Sequence, residues 1–409
     1  MLRTLFGLAV AFAAGFLGRS SAQGGEAPLL EKYLIEGKLA EGHQALSARL
    51  AERGDDAQAR FGLGVLEILQ AVERLAQSLH EYGLRSESPN LPFVRLPVPK
   101  NPEPAKITYE AWRGVFQQLI DDLSRAQETL AKVDDDDVKL PIRVGLVRLD
   151  LDGDGKAGDD ETFWRVFTAV AWRAAKLDNK QQEFRIGFDK ADVHWMIGYT
   201  YLLRALAEGY LAHDTEQFFN GTAHLFFAGA ESPYAGIGSG SDQGQQIPVD
   251  SIAEAVLAIH LFSFEPAEPQ RLQRAHGHLL SMIDQSRKCW HHAMRETDDD
   301  REWIPNARQT SLTPLTVTPQ RVQSWKRFLD EAEAILQGEK LVPHWRIRER
   351  GVNLRRVFHE PTTFDLVKWV HGAAAVPYLE DGPRTDRQTW RQLSAAFEGR
   401  FLAFAVWFQ

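Results

Sequence analysis

Apolar residues recur at steps of three and four along most of this 409-residue chain, and that spacing narrows its fold more than any other feature. A period of 3.6 residues buries one face of a helix, whereas a half-buried strand needs strict alternation. The stretch TPQRVQSWKRFLDEAEAILQG, residues 318–338, is the clearest case. Thr318 is placed to cap a helix, Pro319 suits its first turn and Gly338 closes its end. Val322, Trp325, Phe328, Leu329, Ala332, Ile335 and Leu336 give it one apolar stripe. Residues 109–133 repeat the pattern through Trp112, Val115, Phe116, Leu119, Leu123 and Leu130. Helical spacing also marks 160–175, 193–211, 252–262, 270–296, 364–374 and 385–397. Strand signals are few: Phe184, Ile186 and Phe188 alternate, and 341–361 reads as irregular chain or a small hairpin. The expected fold is therefore mainly α, a multi-helix globular array with a few short strands.

Four segments follow from changes along the chain. Residues 1–22 carry Arg3, the apolar run Leu5 to Leu17, and small Ser20 and Ala22 before a cut. That is the layout of a secretory signal peptide, cleaved near Ala22. The apolar run is short for a bilayer span, so an uncleaved anchor helix is the weaker alternative. Residues 23–84 read as helices broken at Gly37 and Gly54, with Asp55–Asp56 offering a cap. Residues 85–106 hold six prolines and read as an extended connector. Residues 107–409 form the larger helical part. Its last stretch, FLAFAVWFQ, is apolar on both faces and is expected to be buried.

The segment 27–84 resembles tetratricopeptide repeats. Gly42, Leu46 and the pair Leu63–Gly64 fall at that repeat's offsets over about one and a half units. Glu67 departs from it, standing where the repeat has an aromatic. No comparable period follows downstream, and a plain helical hairpin is the alternative.

Charge and cysteine content exclude several classes. The chain has 47 basic and 56 acidic side chains, a formal charge of −9, and loss of Arg3 and Arg19 with the signal makes it more acidic. Such a balance does not suit a nucleic-acid binder. No later segment offers a membrane span to the mature chain. The single Cys289 forbids an intramolecular disulfide and reads as a small buried residue rather than a nucleophile.

Negative charge concentrates in DLDGDGKAGDDE, residues 150–161. Asp150, Asp152, Asp154 and Glu161 occupy positions 1, 3, 5 and 12 of a twelve-residue loop, and Gly155 occupies position 6. A spacing of two turns three carboxylates inward, and the glycine permits a sharp bend. Ca2+ takes six to eight oxygens and suits such a cage, while Mg2+ holds its waters and fits less well. The loop resembles the EF-hand calcium loop and is also similar to dockerin modules. The resemblance implies a backbone carbonyl ligand from Lys156, a water near Gly158 and a bidentate Glu161. Ala157 departs from it, replacing the branched residue that pairs two loops, and no second loop is present. A partnerless loop points to a structural site. Ile142, Leu146 and Leu149 allow a short entering helix, although IRVGLV also fits a strand.

Other candidates are weaker. His292 and Glu296 are four apart and two ligands make no site. His276, His278 and His291 show no ligand spacing. His359–Glu360 offers an acid/base pair, and Asp298 to Asp300 offer further carboxylates. GIGSGSDQG, residues 236–244, completes no phosphate-binding pattern. The expected function is an exported calcium-binding protein with one structural site, acting as a binding or scaffolding protein toward a protein or peptide partner. An exported, hydrolase-like enzyme with an unrecognised active site stabilised by calcium is the alternative.

Overall fold

The structure, a computed structural model, describes residues 27–86, 96–164, 185–231, 233, 249–299, 302–309 and 316–408. The signal-peptide reading of 1–22, most of the helix expected over 160–175 and the loop 236–244 lie outside these residues.

Thirteen helices and eight short strands are present among the described residues. Three helices come first: α1 (Leu29–Glu36), α2 (Leu39–Glu52) and α3 (Ala57–Glu81). Gly37 ends α1 with φ +67°, and Asp56 caps α3 by accepting the Ala59 N–H at 2.8 Å. Residues 96–106 carry no helix, and α4 (Tyr109–Leu130) follows with Thr108 as its cap. The run Asp134 to Asp137 is an exposed turn. Strands β1 (Leu140–Ile142) and β2 (Ile186–Phe188) pair antiparallel around the acidic loop, with Leu140 opposite Phe188. Helix α5 (Lys190–Leu211) starts with a capping box: Asp189 accepts the Ala191 N–H and Asp192 accepts the Asp189 N–H.

The second half runs β3 (His213–Asp214), α6 (Glu216–Phe226), α7 (Val249–His260), β4 (Ser263–Pro266) and α8 (Pro269–Ala293). Then come α9 (Pro319–Leu336), β5 (Val342–Pro343), β6 (Gly351–Val352), α10 (Leu354–His359), β7 (Phe364–Asp365) and α11 (Leu366–His371). Strand β8 (Leu379–Glu380), α12 (Arg387–Ala395) and α13 (Phe401–Phe408) complete it. The strands form two further small antiparallel sheets, in the orders β3-β4-β7 and β5-β6-β8. The fold is mainly α, with helices as its frame and strands as ties.

Helix α5 is the central rod, packed along α8 on one side and α4 on another, with α3 beyond α4. It is buried on most of its surface, which explains why its sequence is apolar nearly all round. One contiguous core runs from Leu30 in α1 to Phe408 in α13. Burying a large apolar side chain contributes about 1.5–3 kcal/mol, so this shared core ties the N-terminal helices to the rest. Gly64 marks how closely α3 meets the end of α4: a Cβ there would stand 2.5 Å from Leu130.

The C-terminal helix corrects one expectation. Phe404, Trp407 and Phe408 are buried against Trp290, Trp303 and Trp195, and Trp195 Nε1 donates to the Trp407 carbonyl at 2.8 Å. Leu402 nevertheless stays 76% exposed and Val406 42% exposed. A single helix docks by one face, and here no element covers the other among the described residues.

Candidate metal centre

The acidic loop is held between helices that are distant in sequence. Glu73 and Gln77, four apart on α3 and therefore on one face, grip its first residue. Asp150 N–H donates to Glu73 Oε1 at 2.9 Å, and Gln77 Nε2 donates to the Asp150 carbonyl at 2.8 Å. Arg148 N–H, just before the loop, donates to the Leu34 carbonyl of α1 at 2.9 Å. Burial pushes the Glu73 carboxyl up to about 7, with the neighbouring Asp150 charge adding to the effect and the Asp150 N–H bond opposing it.

No helix enters the loop. After β1 a single 3-10 turn spans Val144–Leu146, and Arg148 then bridges antiparallel to Thr162 across the loop's neck. Neither reading of IRVGLV holds over its length: only Ile142 belongs to β1, opposite Ile186, and Val144–Leu146 forms the 3-10 turn. Phe163 N–H donates to the Val147 carbonyl at 2.7 Å, closing the neck. Phe163 and Trp164 are helical and both buried, and the residues after them lie outside those described.

Inside the loop, Asp150, Asp152 and Asp154 each bring one carboxylate oxygen within 4.8 Å of the other two. Backbone N–H groups orient all three. Asp150 accepts from Gly153 at 2.7 Å and Gly155 at 3.0 Å, Asp152 accepts from Asp154 at 3.1 Å, and Asp154 accepts from Lys156 at 2.8 Å. Gly155 adopts φ +84°, a region that costs other residues about 1–2 kcal/mol. Lys156 is exposed.

Glu161 lies apart from that trio. It is buried, and its two oxygens accept the Leu151 and Gly158 N–H groups, both at 2.7 Å. The carboxylate thus ties the loop's two limbs. Each oxygen keeps a further lone-pair direction, so the donor set of three aspartates and Glu161 remains all-oxygen and fits a hard cation. Burial pushes the Glu161 carboxyl above its ordinary range, and the Asp152 and Asp150 charges add to this. A cation would reverse it. The small Ala157 also has a reason: a Cβ on Gly37, in the turn after α1, would stand 2.3 Å from the Ala157 Cβ. Position 8 packs on the N-terminal helices.

The remaining candidates separate. Glu360 pairs with Arg356 at 2.6 Å in an exposed bridge, while His359 turns to His276, Nε2 to Nδ1 at 3.3 Å. His276 is buried and its Nε2 donates to the Leu336 carbonyl at 2.9 Å. Asp298 pairs with Lys139 at 2.8 Å, and Asp300 lies outside the described residues. His292 stacks on His194 at 5.2 Å. Cys289 is fully buried and burial pushes its thiol well up, consistent with a packing role.

Sequence reasoning missed Glu73 and Gln77. The available signal was a polar pair at helical spacing, Glu73 and Gln77 on one face of α3. No protein-family model, curated protein or solved structure matches this chain.

Proposed function

We propose that this is an exported calcium-binding protein whose EF-hand-like loop holds its ion for structural ends, and that its helical body serves in binding or scaffolding. The observation that carries the reading is the convergence of the Asp150, Asp152 and Asp154 carboxylates on one point of a loop bent at Gly155. Asp150, Asp152, Asp154, Glu161 and the Lys156 carbonyl would hold Ca2+. A bound divalent charge would offset the repulsion among these acids. Because the loop is fastened to α1 and α3, it would also lock the junction of the N-terminal helices with β1. The net negative charge and the layout of residues 1–22 support export and cation binding over nucleic-acid binding.

Calorimetric Ca2+ titration of the chain beginning at residue 23, beside an Asp150→Ala, Glu161→Ala variant, tests this. One saturable event should disappear in the variant, and EDTA should lower the Tm of the parent by several degrees. Equal uptake by parent and variant, with EDTA acting equally on both, would refute the loop site.

A further inference from the structure

Large apolar side chains are left in water mainly at one place. Nine are exposed among the described residues, and six of them stand on α7, on α11 and in the loop between β5 and β6. Ile252, Val256 and Ile259 fall four and three apart, so they share one face of α7. Val367 and Val370, three apart, share one face of α11. The three elements adjoin. Leu366 N–H, at the start of α11, donates to the Phe262 carbonyl just beyond α7 at 3.1 Å, and the two helices touch. Trp345 Nε1 donates to the Val370 carbonyl at 3.0 Å, and the Arg346 guanidinium donates to the His371 carbonyl at 2.9 Å. These bonds hold the β5–β6 loop against the end of α11, yet Trp345 remains 72% exposed.

Exposed apolar residues scattered singly need no cause, but a set spread over adjoining elements does. The charge around this set is opposite to that of the chain. Residues 344–371 hold six basic and three acidic side chains, whereas acids outnumber bases in the whole sequence. Arg356 pairs with Glu360 and Glu380, and Lys368 pairs with Asp365. Arg346, Arg348 and Arg350 are all exposed and form no ion pair among the described residues, and Glu349 is the one acid between them. Arg346 stands over the Trp345 ring, 5.6 Å from its centroid. On α7 the one charged residue between Ile252 and Ile259 is Glu254, which is half-buried with Oε2 out of solvent. The exposed apolar row is thus bordered by unpaired positive charge.

We propose that α7, α11 and the β5–β6 loop form a face that docks on the surface of an anionic lipid bilayer. Each part has its place in such an interface. The branched aliphatic side chains of α7 and α11 enter the acyl boundary, where removal from water favours them. Trp345 sits at headgroup level, where one edge of its ring stays wet. Arg346, Arg348 and Arg350 meet the lipid phosphates, which their guanidinium groups match in charge and shape. The contact is interfacial: among the described residues no helix is long and apolar enough to cross a membrane. A second copy of the chain fits less well, because two-fold pairing of this face would set the same three arginines against each other. The proposal does not rest on the 150–161 loop.

Vesicle co-sedimentation tests this with the chain beginning at residue 23, which keeps every described element. EDTA is present throughout, so that no Ca2+ bridges acids to lipid. The protein should pellet with vesicles of phosphatidylcholine and phosphatidylglycerol in equal parts, far less with phosphatidylcholine alone, and less as salt rises. A Val256→Asp, Val370→Asp variant should bind at least about tenfold more weakly. Both side chains are exposed, so the fold should survive the change. Arg348→Ser should weaken binding about fivefold. No pelleting of the parent, equal pelleting with both vesicles, or equal binding by parent and double variant overturns the proposal. So does a parent dimer that the double variant dissolves without any vesicle binding, which would assign the face to a second copy. Should the double variant not fold, brominated lipid in the mixed vesicles decides. It should quench the fluorescence of the parent more than that of Trp345→Phe, and equal quenching overturns the proposal.

Discussion

Glu73 Oε1 accepts the backbone N–H of Asp150 at 2.9 Å, so a helix that begins nearly a hundred residues upstream holds the first residue of the acidic loop. The Gln77 side chain, one turn on, closes the other half of the grip on the Asp150 carbonyl. Removing the acceptor leaves a partly buried N–H without a partner. Glu73→Ala should therefore destabilise the protein by about 1–3 kcal/mol. Glu73→Gln keeps an acceptor oxygen and removes a negative charge, and should cost less. Urea unfolding of the two variants checks the order. Equal losses would mean that the charge, not the hydrogen bond, is what matters.

Two glycines should respond differently to alanine. At Gly64 the backbone is helical, and the new Cβ meets Leu130 at 2.5 Å. Overpacking of about 1–3 kcal/mol should outweigh the gain of about 1 kcal/mol in helix propensity. At Gly155 nothing lies within 4 Å, and the cost is that of φ +84° alone. Gly64→Ala should be partly rescued by Leu130→Ala, and Gly155→Ala should not. Melting of the double variants reads this directly.

His278 should make stability depend on pH. Burial, helped by the Arg204 charge, pulls its imidazole down to about 4. Its unfolded value is about 6.5, so between those values the unfolded chain binds more protons than the folded one. Stability must then fall as pH drops from about 6.5 toward 4. His278→Gln should flatten part of that slope and leave stability above pH 7 nearly unchanged. An unaltered slope in denaturant titrations across this range would exclude His278 as a contributor.

Cys289 is fully buried, and burial raises its thiol far above the reactive range. A thiol reagent should label the folded chain slowly and the urea-unfolded chain fast. Cys289→Ala should be tolerated in fold while losing some packing, because a small apolar side chain replaces another. Rapid labelling of the native protein would contradict this placement.

Much of the frame was legible in the chain itself. Periodicity and caps located α3, α4, α5, α8 and α9 within a few residues, because a helix is specified by contacts three and four residues apart. Asp56, Thr108, Asp189 and Thr318 act as caps where such residue types are expected, each accepting an N–H one turn ahead. The acidic loop was equally legible, since its spacing, its bend and its inward carboxylates lie within twelve consecutive residues. Tertiary structure decided what is nonlocal. It paired β1 with β2 and replaced an entering helix by a 3-10 turn. Only the fold could place Glu73 against Asp150 and Ala157 against Gly37, or leave Leu402 in solvent on an apolar helix. It also brought Glu296 and Glu302 to the cap of α5, a meeting that no local spacing marks. Local spacing encodes which face of an element is apolar, but which distant face it meets depends on how all the elements close one core together.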